Sequence, residues 1–201
     1  MPLAIDYYFA TASPWAYLGH TRFARMASEA GATVRLRPVD LGQVFPVSGG
    51  LPLGKRAPQR QAYRLVELAR FGAWLKLPIH IQPRHFPVPG DDAARLIVAV
   101  DQADGTEAAM RLTGAVMAAV WEQQRNIADA TTLAELLSEC ALPPERLEAS
   151  RGAQAAGIYQ AHTQQAIEQN VFGSPTYVVN GEVFWGQDRL DFVQRRLRQA
   201  D

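Results

Sequence analysis

The sequence predicts an α/β protein in which a small sheet, drawn from the two ends of the chain, carries an inserted all-helical domain. Three observations predict this. A strand–helix–strand pattern fills residues 3–39, helical periodicity runs from Pro58 through the 153–169 segment, and a hairpin followed by an amphipathic helix occupies 176–199. At 201 residues the chain is long enough to bury roughly 70% of its unfolded surface, which suits one or two ordinary domains.

Leu3-Ala4-Ile5-Asp6-Tyr7-Tyr8-Phe9 is rich in β-formers and reads as a buried strand. Residues 14–30 then follow a helical pattern through Tyr17, Leu18, Phe23, Ala24 and Ala27, with Gly31 as the stop. Thr33 to Val39 alternates as a second strand, and a βαβ unit this short makes the two strands parallel. Residues 40–57 hold Gly42, Pro46, Ser48-Gly49-Gly50, Pro52 and Gly54, which predicts a long functional loop.

From Pro58, the row Ala62, Leu65, Val66, Ala69, Gly72 and Ala73 has helical spacing and reads as a core-facing stripe ended by Pro78. Gln82 to Gly90 is too proline-rich for regular structure. Helices follow over 91–103, 106–125, 132–139, 144–150 and 153–169. Thr132 and Glu135 are spaced as a capping box, and Ala109, Leu112, Val116 and Val120 form a core stripe with Trp121 beside it. Thr176–Val179, Asn180-Gly181 and Glu182–Trp185 carry a strong two-residue hairpin signal. The last helix, 188–199, is amphipathic through Leu190, Val193 and Leu197. Without the helical block the order is βαβ-αββα, the order of the thioredoxin fold.

Ser13-Pro14 opens the first helix directly after the first strand. Ser13 sits at the N-cap, and Pro14 occupies the position where a missing N–H costs nothing. Such a helix start offers orphan N–H groups, a partial positive charge and a hydroxyl, a set that suits an anion such as a thiolate. The same pair is also what an ordinary cap looks like.

Asp6-Tyr7-Tyr8-Phe9 with Ser13-Pro14-Trp15-Ala16-Tyr17-Leu18 resembles the start of the 2-hydroxychromene-2-carboxylate isomerases and the related kappa-class glutathione transferases. Val171-Phe172-Gly173-Ser174-Pro175-Thr176 and Phe184-Trp185-Gly186-Gln187-Asp188-Arg189-Leu190 resemble two later motifs of that family. The middle also fits, through Gly49-Gly50-Leu51-Pro52-Leu53-Gly54-Lys55-Arg56 and Arg84-His85-Phe86-Pro87.

The resemblance implies a DsbA-like architecture, with residues 1–40 and 153–201 as a discontinuous thioredoxin-like domain. Residues 41–152 are then the inserted helical domain with substrate-side loops. It implies glutathione as the thiol, Ser13 as catalytic thiolate stabiliser, and Ser174-Pro175 as the cis-proline loop. Trp185, Gly186, Gln187 and Asp188 hold the γ-glutamyl end. Lys55, Arg56, His85 and Phe86 are the candidates for a small aromatic carboxylate substrate, and a homodimer is expected. For each residue a structural role remains open: Asp188 as a helix cap, Lys55 and Arg56 as solvated loop, and Ser174-Pro175 as an ordinary turn. His20, His80 and His162 match no motif and read as surface or packing residues.

The reaction implied is cis–trans isomerisation of 2-hydroxychromene-2-carboxylate to trans-o-hydroxybenzylidenepyruvate through a transient glutathione thiolate adduct. The alternatives are a kappa-like glutathione transferase and a non-catalytic glutathione-binding protein. Where redox members of the fold carry Cys-x-x-Cys, this chain has Ser13 and Ala16. Cys140 is the single cysteine, so the chain has no dithiol, internal disulfide or Cys-based zinc site, and a metal site is not expected. Lys+Arg and Asp+Glu are both 20, a balance that argues against nucleic acid and anionic membrane as partners. The start, Met1 to Asp6, lacks a basic segment and carries an acid, so a cytoplasmic location without a targeting peptide is expected.

Overall fold

The structure, a computed structural model, describes residues 3–199. Met1, Pro2, Ala200 and Asp201, the outer ends of the two expected thioredoxin-like segments, lie outside the described residues. Strand β1 (Ala4–Phe9) leads into helix α1 (Pro14–Glu29), and β2 (Thr33–Pro38) returns beside β1 in parallel. Strand β3 (Thr176–Val179) pairs antiparallel with the other edge of β1, and β4 (Glu182–Trp185) closes a sheet of order β2-β1-β3-β4. The turn between β3 and β4 has positive φ at both Asn180 (50°) and Gly181 (79°), the backbone that a tight hairpin requires.

Side chains on a strand alternate between faces, and here each face has its own core. Ile5, Tyr7 and Phe9 join Phe23, Tyr177 and Val179 in the larger cluster. Tyr7 stacks on Phe9 and Tyr177 with ring centroids 4.7 and 5.3 Å apart. Tyr8 and Val178 face the other way, against Val39, Val44, Ala166 and Val171.

The 40–57 stretch is not one loop. Leu41–Ser48 forms helix α2, with the Asp40 carboxylate accepting from Gly42 N–H at 2.7 Å and Gly49 ending it at φ 74°. Gly42 and Pro46 argue against a helix one residue at a time, but the cap at one end, a left-handed glycine at the other and burial of Val44 outweigh them. A 3-10 turn, Leu53–Lys55, follows.

Helix α3 (Pro58–Leu75) is rotated from its expected orientation. Its buried residues are Arg64, Leu68 and Gly72, with Phe71 and Leu75 packed against the core. Ala62, Val66, Ala69 and Ala73 of the expected stripe face solvent. Four of the six residues of that stripe are alanine or glycine, whereas Leu68, Phe71 and Leu75 offer far more apolar area to bury. Gly72 fixes the orientation, because a Cβ there would stand 2.5 Å from Ile79 Cγ2.

Helices α4 (Asp91–Asp104), α5 (Thr106–Trp121), α6 (Ala130–Glu139), α7 (Arg146–Ser150) and α8 (Ala153–Glu168) complete the helical block. Ala109, Leu112, Val116, Val120 and Trp121 are all buried, as their spacing predicts. The cap of α6 is Asp129, which accepts from Thr131 N–H at 3.0 Å; Glu135 instead pairs with Arg125 at 2.8 Å, so Thr132 and Glu135 form no capping box. After a 3-10 turn at Gln187–Arg189, α9 (Leu190–Arg198) buries Leu190, Val193 and Leu197.

Candidate active site

The chain turns sharply between β1 and α1. Ser13 N–H donates to Ala10 C=O at 3.0 Å, and Tyr17 N–H donates to Ser13 C=O at 3.1 Å. The Ser13 Oγ accepts from Ala16 N–H at 3.2 Å, so Ser13 is the N-cap and Pro14 follows it in the first turn. Trp15 N–H, also in that turn, has no acceptor among the described residues. The start of α1 therefore presents one hydroxyl and one open N–H beside the positive end of the helix dipole.

Across from it stands Ser174, whose bond to Pro175 is cis, as the resemblance implies. Ser13 Oγ donates to Ser174 C=O at 3.4 Å, and Ala10 N–H donates to Ser174 Oγ at 2.9 Å. The long Ser13–Ser174 contact is weak, so the hydroxyl can turn to a stronger acceptor at small cost. Each serine is 8% exposed, and both line the cleft.

The cleft has two lobes that share Trp15, Arg56, Arg60, Arg64, Ser174 and Trp185. One lobe, of about 590 Å³, contains Ser13 with Phe45, Phe86 and Phe172, and no acidic side chain lines it. The other, of about 500 Å³, is walled by Gly186, Gln187, Asp188 and Arg189 and also carries Glu67. A separate apolar hollow of about 600 Å³ between α1 and α5 includes neither serine in its lining.

One glycine in each lobe shapes the cleft, Gly186 in the second and Gly173 in the first. Gly186 has φ 100°, and a Cβ there would run into the Asp188 carboxylate. A Cβ on Gly173 would run into the Trp185 indole, which packs edge-on against Phe172 at 5.0 Å. Gln187 is almost wholly buried, and its Oε1 has no hydrogen-bond partner among the described residues.

The residues expected at the site separate into two groups. Ser13, Ser174, Trp185, Gly186, Gln187, Asp188, Arg56 and Phe86 line the cleft. Lys55 is exposed, His85 half-buried and Pro175 buried behind Ser174, and none of the three lines a lobe. Arg56 Nε donates to Leu51 C=O at 2.8 Å, which turns it inward while its neighbour Lys55 points away. Sequence reasoning missed Arg60 and Arg64; their four-residue spacing after Arg56 was the available signal, hidden by the assignment of the opposite face of α3 to the core.

His20 and His162 are buried packing residues. His20 Nε2 donates to Met110 C=O at 3.0 Å, leaving Nδ1 to accept from Tyr7 Oη at 3.4 Å. Arg37 Nη1 lies 2.9 Å from His162 Nε2, and since a guanidinium only donates, that nitrogen is the acceptor. Burial pushes both imidazoles down to about 4.

The model of the DSBA-like thioredoxin domain family matches residues 4–198. The chain belongs to that family. Within it, this DSBA-like chain is 27% identical to the 2-hydroxychromene-2-carboxylate isomerase of Sphingobium xenophagum, over 98% of this chain and 99% of that protein. It is 28% identical to the isomerase of the same name from Pseudomonas putida, with 97% and 94% covered. A solved 2-hydroxychromene-2-carboxylate isomerase superposes with a TM-score of 0.81 at 25% identity, covering 98% of this chain and 95% of that one. The cytosolic disulfide reductase DsbM of Pseudomonas aeruginosa has the same fold, with a TM-score of 0.71 at 19% identity and coverage of 98% and 100%. No helix among the described residues is long and apolar enough to cross a membrane.

Proposed function

We propose that this chain is a glutathione-dependent cis–trans isomerase of 2-hydroxychromene-2-carboxylate or a close aromatic carboxylate, working in the cytoplasm. The observation that carries the reading is Ser13. Its capping hydroxyl opens into a lobe walled by aromatic rings and three arginines with no acid among its lining residues. The names of the full-length relatives support the substrate class.

The residues present fit glutathione. Asp188 offers an acid for its ammonium, Gln187 Oε1 is an acceptor without a partner among the described residues, and Arg189, which pairs with Asp188, offers a cation for a carboxylate. Bound glutathione would supply a thiolate that adds reversibly to the conjugated carbon, turning a double bond into one that rotates. Ser13 Oγ, whose proton is held only by its weak contact with Ser174 C=O, would be the donor to that thiolate. Trp15 N–H and the α1 dipole add to the stabilisation. A drop of about two units from a thiol pKa near 8.5 requires roughly 2.7 kcal/mol, within reach of one charge-assisted hydrogen bond of about 1.5–3 kcal/mol together with a helix N-terminus. Ser174 and Trp185 line the same lobe as Ser13.

Turnover of 2-hydroxychromene-2-carboxylate with and without glutathione tests the reading. The expected result is isomerisation that requires glutathione and does not consume it. Consumption in step with product would make the protein a transferase, and glutathione binding without turnover of any electrophile would make it a binding protein. Gly186→Ala is expected to raise the glutathione Kd at least tenfold, because it places a side chain at φ 100° and displaces Asp188. Calorimetric titration checks this, and unchanged affinity would remove Asp188 from the site.

A homodimer is supported by the outer face of α3, where Val66 and Trp74 are 45% and 69% exposed. Sedimentation is expected to show a dimer that Val66→Glu converts to monomer. A monomeric wild type would end that reading.

A further inference from the structure

Arg64 is 9% exposed, yet none of the ion pairs among the described residues involves it. A largely buried guanidinium without an acid bears part of the cost of lost hydration unless something compensates. Part of the compensation is aromatic: its central carbon lies 5.2 Å from the Phe86 ring centroid and 5.6 Å from that of Trp121. These rings hold the group in place but use few of its N–H donors, and Arg64 lines both lobes.

Its neighbours make the arrangement less favourable still. Burial and the positive charge of Arg56 push Arg64 down to about 10, and burial and Arg60 push Arg56 down in turn. Arg56, Arg60 and Arg64 line both lobes, and the Ser13 lobe, unlike the one that carries Glu67 and Asp188, has no acid in its lining to offset them. An anion placed among them would relieve both the repulsion and the lost hydration. A planar oxyanion matches the guanidinium fork, and Phe45, Phe86, Phe172 and Trp15 beside it match an aromatic body.

We infer that Arg64, seated on Phe86 and Trp121, is the carboxylate anchor that makes this cleft select anionic aromatic substrates. The inference rests on the reading of the Ser13 lobe as the substrate site. Arg64 holds the carboxylate at one end of the lobe, and Arg56 and Arg60 add charge around it. Lys55, exposed and outside the lining, takes no part.

The test is binding, measured calorimetrically on the full chain without glutathione, of trans-2-hydroxycinnamate and of its methyl ester. The wild type is expected to bind the acid at least tenfold more tightly than the ester. Arg64→Met is expected to abolish that preference while leaving ester affinity within about twofold. Arg64→Lys, which keeps the charge and loses the fork, is expected to retain a preference at least threefold smaller than wild type. No preference in the wild type overturns the inference, as does a full preference in either variant. Equal loss of acid and ester binding in both variants also overturns it, since that marks a structural role. If Arg64→Met does not fold, the lysine variant decides by the same criterion. Failure of the two proposals is distinguishable: an acid preference that depends on Arg64 in a protein that does not isomerise 2-hydroxychromene-2-carboxylate leaves the anchor standing and removes the reaction.

Discussion

Ser13→Ala is expected to lower glutathione-dependent turnover at pH 7 by about 100-fold, with Ser13→Gly losing as much. The size follows from removing one hydrogen bond to an anion, about 1.5–3 kcal/mol, or roughly 10- to 150-fold. Two variants are needed because Ser13 has two roles. Its Oγ also caps α1 through Ala16 N–H at 3.2 Å, and losing a cap to alanine typically costs about 1 kcal/mol, whereas glycine gives back most of it. Alanine should therefore lower the melting temperature by about 2–4 °C, and glycine by much less. Activity and stability then separate: equal loss of turnover with unequal loss of stability assigns the hydroxyl to the sulfur. Turnover retained in the glycine variant would reduce Ser13 to a cap. Ultraviolet titration of bound glutathione provides the direct readout, with the thiolate of the wild-type complex forming at lower pH than in either variant.

Much of the fold was legible because it is written in short-range signals. Ser13-Pro14, Asn180-Gly181 and the alternation of residues 33–38 each have one cheap backbone solution, and the structure adopts it. Legibility failed where the deciding contact is distant in sequence. Helix α2 is held by the burial of Val44 beneath α8 and beside Tyr8, which outweighs Gly42 and Pro46. The rotation of α3 is set by Ile79 against Gly72 and by the larger residues Leu68, Phe71 and Leu75, none of which a count of apolar positions weighs.

The site divides along the same line. Ser13 and the Trp185 to Asp188 turn are bound to helix starts and a hairpin end, so motif and place coincide. Lys55 and Arg56 are neighbours in sequence that the 3-10 turn at Leu53–Lys55 sends in different directions. Arg64 was invisible as a site residue because a charge in a helix normally marks the solvated face. Phe86 and Trp121, from separate elements, supply part of what makes its burial tolerable.

Acid should destabilise the protein well before its carboxylates are protonated. His20 and His162 are both held neutral, at about 4 against an ordinary 6.5, chiefly by burial. For His20 the hydrogen bond to Met110 C=O opposes the shift, and for His162 the Arg37 charge adds to it. A depressed imidazole pKa means that the unfolded chain binds the proton first. The stability contribution is therefore complete above about pH 6.5 and is lost as pH falls through the window toward 4. Each histidine contributes at most about 3 kcal/mol across that window, a large share of the 5–15 kcal/mol typical of a folded domain. The local chemistry gives no escape, because a proton on His162 Nε2 would face Arg37 Nη1 at 2.9 Å. Urea midpoints at pH 7, 6 and 5 are expected to fall steadily, and His162→Gln should flatten the curve by offering Arg37 an acceptor that does not titrate. A midpoint unchanged between pH 7 and 5 would mean that the two imidazoles find a way to bind protons without unfolding, and the packing around Arg37 and Met110 would then have to open instead.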